Sequence, residues 1–217
     1  MNETFEQFTQ SLKQKLARGL PGAQAHRMMM PTTRDRKYVF PTFSSPPKES
    51  AVLLVFYEDG DGGIGFPLIQ RRNYKGAHSG QVALPGGKAE ESDPNLVYTA
   101  LREAEEEIGV EADSVHVAGQ LSNLHIAVSN YVVSPVLGFV KQKPTFIPEL
   151  KEVSSVIESD LQEIINPERR KKGTITVQGS LEIETPYFNI QNKVVWGATA
   201  MILNELRLLI DEKETLN

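Results

Sequence analysis

Residues 84–110 read LPGGKAEESDPNLVYTALREAEEEIGV. Leu84-Pro85-Gly86-Gly87 breaks the chain sharply, because proline lacks a donor and glycine enters backbone conformations closed to other residues. From Pro94 to Ile108 the pattern is helical: Val97, Leu101, Ala104 and Ile108 fall within roughly 60° of one another at 100° per residue. Asp93 followed by Pro94 reads as an N-cap and first-turn pair, and Gly109 as the stop. Glu103, Glu106 and Glu107 lie along an edge neighbouring the apolar one. Three carboxylates within one turn repel one another and raise their own pKa values, a penalty that a divalent cation removes. Hard oxygen donors suit Mg²⁺ or Mn²⁺ rather than Zn²⁺. The plain alternative is a solvated acidic face. Two neighbours argue against it: Gly86-Gly87 can approach a ligand closely and offer a carbonyl, and Arg102 can fix a carboxylate by a bidentate bond.

Working outward, Ala51–Tyr57 (AVLLVFY) is a short apolar run expected to form a buried strand, EDGDGG at 58–63 is turn chemistry, and Ile64–Arg71 reads as the returning strand. Past the helix, strand-like segments lie near 114–120, 131–140 and 151–158, followed by a short helical stretch near 159–165. Thr174–Val177 and Leu181–Ile183 read as a hairpin around Gly179, and Gly197–Asp211 as a helix with Leu203, Leu206, Leu209 and Ile210 on its apolar face. Strands in the middle with a central helix and flanking helices indicate an α/β (α+β) layer arrangement rather than a regular βαβ series.

The chain's 217 residues suffice for one substantial domain with its own core. The absence of cysteine excludes disulfide frameworks, thiolate metal sites and cysteine nucleophiles, and fits a cytoplasmic location. The amino terminus has no continuous apolar core, so it does not read as a signal peptide, and no run of 18 apolar residues would span a membrane. Phe5, Phe8, Leu12 and Leu16 instead mark an amphipathic helix, packed on the domain or, as the sharper alternative, lying on a membrane surface. Residues 20–50, rich in Pro, Met, Thr and Ser, read as an irregular lead-in. The expected organisation is thus a helix and lead-in over 1–50 and a main domain over 51–212. A net charge of −5 would repel nucleic acid, while a polyanionic small molecule stays compatible if a metal or local basic residues neutralise it.

The stretch 86–110 resembles the Nudix box. Its second half fits throughout: Arg102, Glu103, Ala104, Glu106, Glu107, Gly109 and Val110. Its first half departs, since Gly87 lies 15 residues before Arg102, one more than the general pattern, and the acidic position is Asp93. That expansion and the aspartate look like the coenzyme A diphosphatase branch, as do HSGQVALPGGK at 78–88, SNYVVSPVLGFV at 129–140, KEVSSVIESDL at 151–161 and WGATA at 196–200. The resemblance implies a Nudix-type α/β/α sandwich with a mixed sheet. It makes Glu103, Glu106 and Glu107 metal ligands, the Gly86 carbonyl a further ligand, and Arg102 the group that orients the glutamates. It implies Mg²⁺ or Mn²⁺ as cofactor and water attack on one phosphorus of a diphosphate. The general base in such proteins comes from the box or from a later glutamate; here Glu149, Glu152 and Glu158 are candidates, and Glu152, opening EVSSVI, is preferred. Its alternative reading is a surface charge at a strand start. Members often form homodimers, so a homodimer is carried as an expectation with no located interface.

The branch's upstream signature is half kept. Leu68, Gly80, Val82, Pro85, Gly86 and Gly87 match, whereas Pro67, Ile69, Arg72, Lys75, Gly76, Leu84 and Glu90 replace its Leu, Thr, Ser, Leu, Arg, Phe and Asp. Arg71, Arg72 and Lys75 are the candidates to meet a 3′-phosphate, or are ordinary surface residues at a strand end. His78 and His125 are candidate substrate contacts or bases, with a packing role as the alternative; Trp196 reads as core more readily than as a stacking platform. The implied substrate is coenzyme A or a related nucleoside diphosphate derivative. ADP-ribose or a dinucleotide is the nearest competitor, and a non-catalytic nucleotide-binding regulator the competitor from another class.

Overall fold

Residues 51–57 alternate between two cores, and that alternation sets the layers. Leu54 and Phe56 enter a cluster with Phe8 and Leu12 of the first helix and Leu203 and Leu206 of the last. Ala51, Leu53, Val55 and Tyr57 enter a second cluster with Ala100, Ala104 and Ile108 of the central helix. A strand buried on both faces must carry apolar residues at both parities, so the continuous run AVLLVFY reflects helices above and below the sheet. The description here is of a computed structural model, covering residues 4–33, 41–74, 78–177 and 181–211.

The chain runs α1 (Phe5–Arg18), α2 (Gly22–Met28), β1 (Thr32–Thr33), β2 (Lys48–Glu58), β3 (Ile64–Arg71), β4 (Val82–Ala83), β5 (Gly86–Lys88) and α3 (Leu96–Ile108). It continues with β6 (His116–Gln120), β7 (Leu124–Ile126), β8 (Tyr131–Phe139), β9 (Val153–Asp160), α4 (Gln162–Ile165), β10 (Arg170–Val177), β11 (Leu181–Ile190), β12 (Lys193–Val195) and α5 (Gly197–Ile210). Among the described residues, one mixed sheet has the order β4-β3-β2-β8-β6, with β5 also on β2, β7 on β8 and β9 on β3. Its centre is the parallel pair β2–β8, in register from Lys48 opposite Tyr131 to Phe56 opposite Phe139. A second, antiparallel sheet joins β1, β10, β11 and β12. The expected hairpin is present as β10–β11, with Val177 opposite Leu181; its turn at Gly179 lies outside the described residues.

The apolar face of α1 is spent on the core. Thr4 and Gln7 close a capping box, which satisfies two orphan donors at the helix start. Phe8 then meets Phe56 edge-on, ring centroids 5.3 Å apart. A membrane-surface role for that face is therefore not available in this fold. The lead-in is more ordered than its composition predicts. Residues 22–28 form α2, and Thr32–Thr33 pairs with Glu184 and Ile183 of β11. Seven residues are too few to show a helical period in sequence, and tertiary bonds hold α2: Asn204 Nδ2 donates to the Ala25 carbonyl at 2.8 Å, and Glu205 receives Gly22 N–H.

Helix α3 starts at Leu96, two residues later than expected. Asn95 caps it, its side chain accepting from Tyr98 N–H at 2.9 Å. Asp93 is not the cap because Arg102 claims it. Gly109 ends the helix as expected, in the left-handed conformation at φ 73°.

Candidate active site

Segments distant in sequence meet around a cavity of about 830 Å³, within the range of small-molecule sites. One wall is α3, contributing Arg102, Glu103, Glu106 and Glu107; β5 supplies Gly86, Gly87 and Lys88 beside them. The loop before β9 contributes Glu149, Lys151 and Glu152. Arg71, Tyr74, His78 and Gln81 also line it, as do Ala198, Thr199 and Ile202 from the start of α5.

The three glutamates share this cavity but sit in different surroundings. The Glu107 side chain is 4% exposed, that of Glu106 59%. Gly86 N–H donates to Glu107 Oε2 at 2.8 Å, and Arg71 Nη1 lies 3.9 Å from Oε1. These two contacts do not compensate its burial, which pushes the carboxyl up to about 7, with Glu103 and Glu152 adding repulsion. Burial also raises Glu103, against the pull of Arg102. Gly86 thus has a role that its sequence position did not show: its N–H fixes the most buried glutamate. Its φ of 148° and the 2.3 Å that would separate a Cβ from the Ala51 carbonyl oxygen both require glycine. At Gly87 a Cβ would lie 2.3 Å from Glu103 Oε2, so this glycine leaves room for the carboxylate.

Arg102 organises the outer half of the cluster. Its Nε and Nη2 hold Asp93 at 3.0 Å each, the bidentate bond anticipated for this arginine, with Asp93 rather than a box glutamate as partner. Nη1 reaches Glu103 Oε1 and Glu106 Oε2, both at 3.0 Å. The Arg102 guanidinium holds the Asp93 carboxyl well below the usual carboxylate range, with bonds from Glu90 N–H and Thr99 Oγ1 adding to it.

The donor set suits a hard divalent cation: carboxylates only, two of them raised by burial and mutual repulsion. As the side chains stand, no three acidic or histidine groups among the described residues converge on one point. The reason is visible in the bonds: Glu103 and Glu106 lean on Arg102, and Glu107 leans on Gly86. An ion would have to compete with these contacts.

The remaining expected site residues divide. Arg71 reaches the cavity, and its Nε is buried with no hydrogen-bond partner. Arg72 lines not this cavity but a smaller one beside it, shared with Arg71, Tyr74, Lys151 and Glu152, and its guanidinium donates to the Leu150 carbonyl. Lys75 lies outside the described residues. His78 lines the cavity, but its two ring nitrogens are engaged, with Gln81 Oε1 at 3.1 Å and Ser129 Oγ at 3.2 Å. Burial lowers its pKa. Of the three candidate bases, Glu149 and Glu152 line the cavity, whereas Glu158 is on β9, paired with Lys143 and away from it. His125 and Trp196 are also outside the lining. Tyr74, Gln81, Ser129, Lys151 and Thr199 also line the cavity; all but Tyr74 lie in the branch-like segments at 78–88, 129–140, 151–161 and 196–200, a signal that did not single them out individually.

The layered α/β/α arrangement thus sets an acidic helix beside a glycine turn over one cleft. The NUDIX domain family model matches residues 47–171, and the chain belongs to the Nudix hydrolase family. It is 37% identical over 140 residues to the Nudix hydrolase NudL of Yersinia pestis, covering 64% of this chain and 69% of that one. Nudix hydrolase 15, mitochondrial, of Arabidopsis thaliana is 36% identical over 165 residues, 72% of this chain and 56% of that protein's length. Among solved structures, the Nudix hydrolase RenU of M. smegmatis aligns with a TM-score of 0.54 at 16% identity, over 80% of this chain and 91% of that one. At that identity the likeness bears on the fold alone. Among the described residues no helix is long and apolar enough to cross a membrane.

Proposed function

We propose that this protein hydrolyses the diphosphate linkage of a nucleoside diphosphate derivative, with coenzyme A as the leading substrate, giving 3′,5′-ADP and 4′-phosphopantetheine. The observation that carries this reading is the meeting of Glu103, Glu106 and Glu107 with Arg71 in one cavity. Glu103, Glu106 and Glu107, joined by the Gly86 carbonyl, would hold Mg²⁺ or Mn²⁺, which supplies charge neutralisation at the phosphoryl oxygens and a lowered pKa for a bound water. Arg102 fixes Glu103 and Glu106 through Nη1 while Asp93 fixes Arg102. Arg71, with an unused Nε, offers a cation to a phosphate oxygen. Glu152 takes the proton from the attacking water as the new P–O bond forms and the bridging P–O bond breaks. Glu149, three residues earlier in the same loop, is the second candidate for this step. His78 supports the wall through Gln81 and Ser129 and contacts substrate from there.

The half-kept branch signature and the shared segments support coenzyme A, and the chain's 56% span of its Arabidopsis relative leaves the substrate to experiment. Turnover of coenzyme A, ADP-ribose and a dinucleoside diphosphate with Mg²⁺ or Mn²⁺ decides it. Rapid ADP-ribose cleavage without coenzyme A turnover ends the coenzyme A reading. Ligand binding without turnover of any of them ends the catalytic one. We further propose 51–212 as the catalytic unit with 1–50 as its lead-in, and a cytoplasmic location.

A further inference from the structure

The loop before β9 places Glu149 and Glu152 at the cavity. Phe146 anchors its first part on Tyr57 and the second core, but beyond it Ile147 is 67% and Leu150 62% exposed, and hydrogen bonds hold that stretch. At its start, Ile147 N–H donates to the Ile108 carbonyl and Glu149 N–H to the Glu107 carbonyl, both at 2.9 Å. The loop is thus registered on the free carbonyls that end α3, the helix that carries the acidic cluster. Within it, Glu152 N–H and Val153 N–H both donate to the Glu149 carbonyl.

The other side of the loop meets the end of β3. The register shift between Gln70 and Arg71 leaves Ser154 of the facing strand β9 as the extra residue, and successive side chains of β3 point to opposite faces. Arg71 enters the cavity; Arg72 turns to the loop. Arg72 N–H donates to the Glu152 carbonyl at 2.9 Å, and its guanidinium donates to the Leu150 carbonyl. The Arg72 carbonyl in turn accepts Gly80 N–H at 3.2 Å, which ties in the turn bearing His78. One residue therefore bonds two carbonyls of the loop two positions apart, with the side chain spanning the stretch between the two cavity glutamates. Among the described residues, Arg72 supplies the side-chain hydrogen bond from another element to the backbone of 149–152.

We propose that Arg72 is a positioning residue: it holds the 149–152 loop so that Glu152 and Glu149 stand at the cavity, and it does not contact substrate. This assignment rests on the proposed diphosphate hydrolysis and departs from the expectation that Arg72 meets a substrate phosphate. A positioning loss acts on the chemical step, because misplacing a group by about 1 Å costs up to about 10²-fold in rate.

The test compares wild type, Arg72→Ala and Arg72→Lys as full chains, by steady-state kinetics with coenzyme A or ADP-ribose and Mg²⁺, and by amide hydrogen exchange. For Arg72→Ala, kcat falls by about 10- to 100-fold with KM nearly unchanged, and exchange at 149–153 accelerates while exchange at 100–108 does not. Arg72→Lys, which keeps a donor for the Leu150 carbonyl, recovers most of the loss in both readouts. A large rise in KM at unchanged kcat overturns the proposal and returns Arg72 to the substrate. Unchanged exchange at 149–153 overturns it as well. Wild type inactive on every diphosphate would sink the hydrolase reading, and the exchange comparison would still decide whether Arg72 holds the loop.

Discussion

Glu107 on α3 and Glu205 on α5 are both buried, at 3% and 0% residue exposure, and the structure treats them oppositely. Burial disfavours the charge of each. Around Glu205 the donors outweigh that cost: His26 Nε2 at 2.8 Å, Ser122 N–H at 3.3 Å and Gly22 N–H at 3.0 Å leave its pKa below the usual range. Glu107 has one backbone donor and an arginine at 3.9 Å, and its carboxyl rises to about 7. A carboxylate that closes its own hydrogen bonds fastens α5 to α2. A carboxylate left underserved beside two others is, in the function proposed above, the one that a cation would satisfy. The contrast separates an acid that the fold satisfies from one that it does not.

Removing the unsatisfied acid should give the largest effect. Glu107→Gln is expected to lower turnover by about 10³-fold or more while denaturant stability stays near wild type, since the amide can still accept from Gly86. Near-normal activity in both Glu107→Gln and Glu106→Gln would undo the metal-site assignment. Removing the satisfied acid should do the reverse. Glu205→Ala strands three donors, an outcome that costs about 3 kcal/mol, read as a lower denaturation midpoint with turnover per folded molecule retained. A stability-neutral Glu205→Ala would mean that the α2–α5 contact contributes little. Between these lies Gly87→Ala: a Cβ there drives into the flexible end of Glu103, so the expected stability cost is about 1 kcal/mol and turnover falls by about tenfold.

The smallest effect sharpens the comparison most. Glu205 has a lowered folded pKa, so its contribution to stability is present above the unfolded value of about 4.3 and is lost as the pH falls through the folded value. Glu107 has the opposite sign. In protein stripped of divalent ions, its folded value of about 7 means that stability is lost as the pH rises from about 4.3 toward neutrality. Denaturation from about pH 2 to 8 in chelator should show Glu205→Gln flattening the acid limb, below about 4.3, and Glu107→Gln the limb between about 4.3 and neutrality. The same limb flattened by both variants would erase the distinction.

Much of this was legible in the residues. The run AVLLVFY, the strand Ile64–Arg71, the capped end at Gly109 and the last helix all appear where the hydrophobic pattern placed them, because local periodicity reports which face a core needs. The boundary of α3 was not legible, since choosing Asn95 over Asp93 as cap depends on Arg102 nine residues away from Asp93. The helix α2 and the short strands β4, β5, β7 and β12 were missed because each is too short to carry a period and exists through its partners; of the second sheet, the β10–β11 hairpin was legible and the strands added to it were not.

For the site, the sequence alone determined that three glutamates share a helical edge behind a glycine pair with an arginine at their base, since 3.6-residue spacing is a property of the local chain. Only the tertiary structure decided which glutamate is buried, that Gly86 serves it through an N–H, that Arg102 is anchored by Asp93, and that Arg71 faces Glu107 while Arg72 bonds the 149–152 loop. Those outcomes depend on burial and on partners brought from remote positions, and burial and remote contact have no signature in a linear pattern.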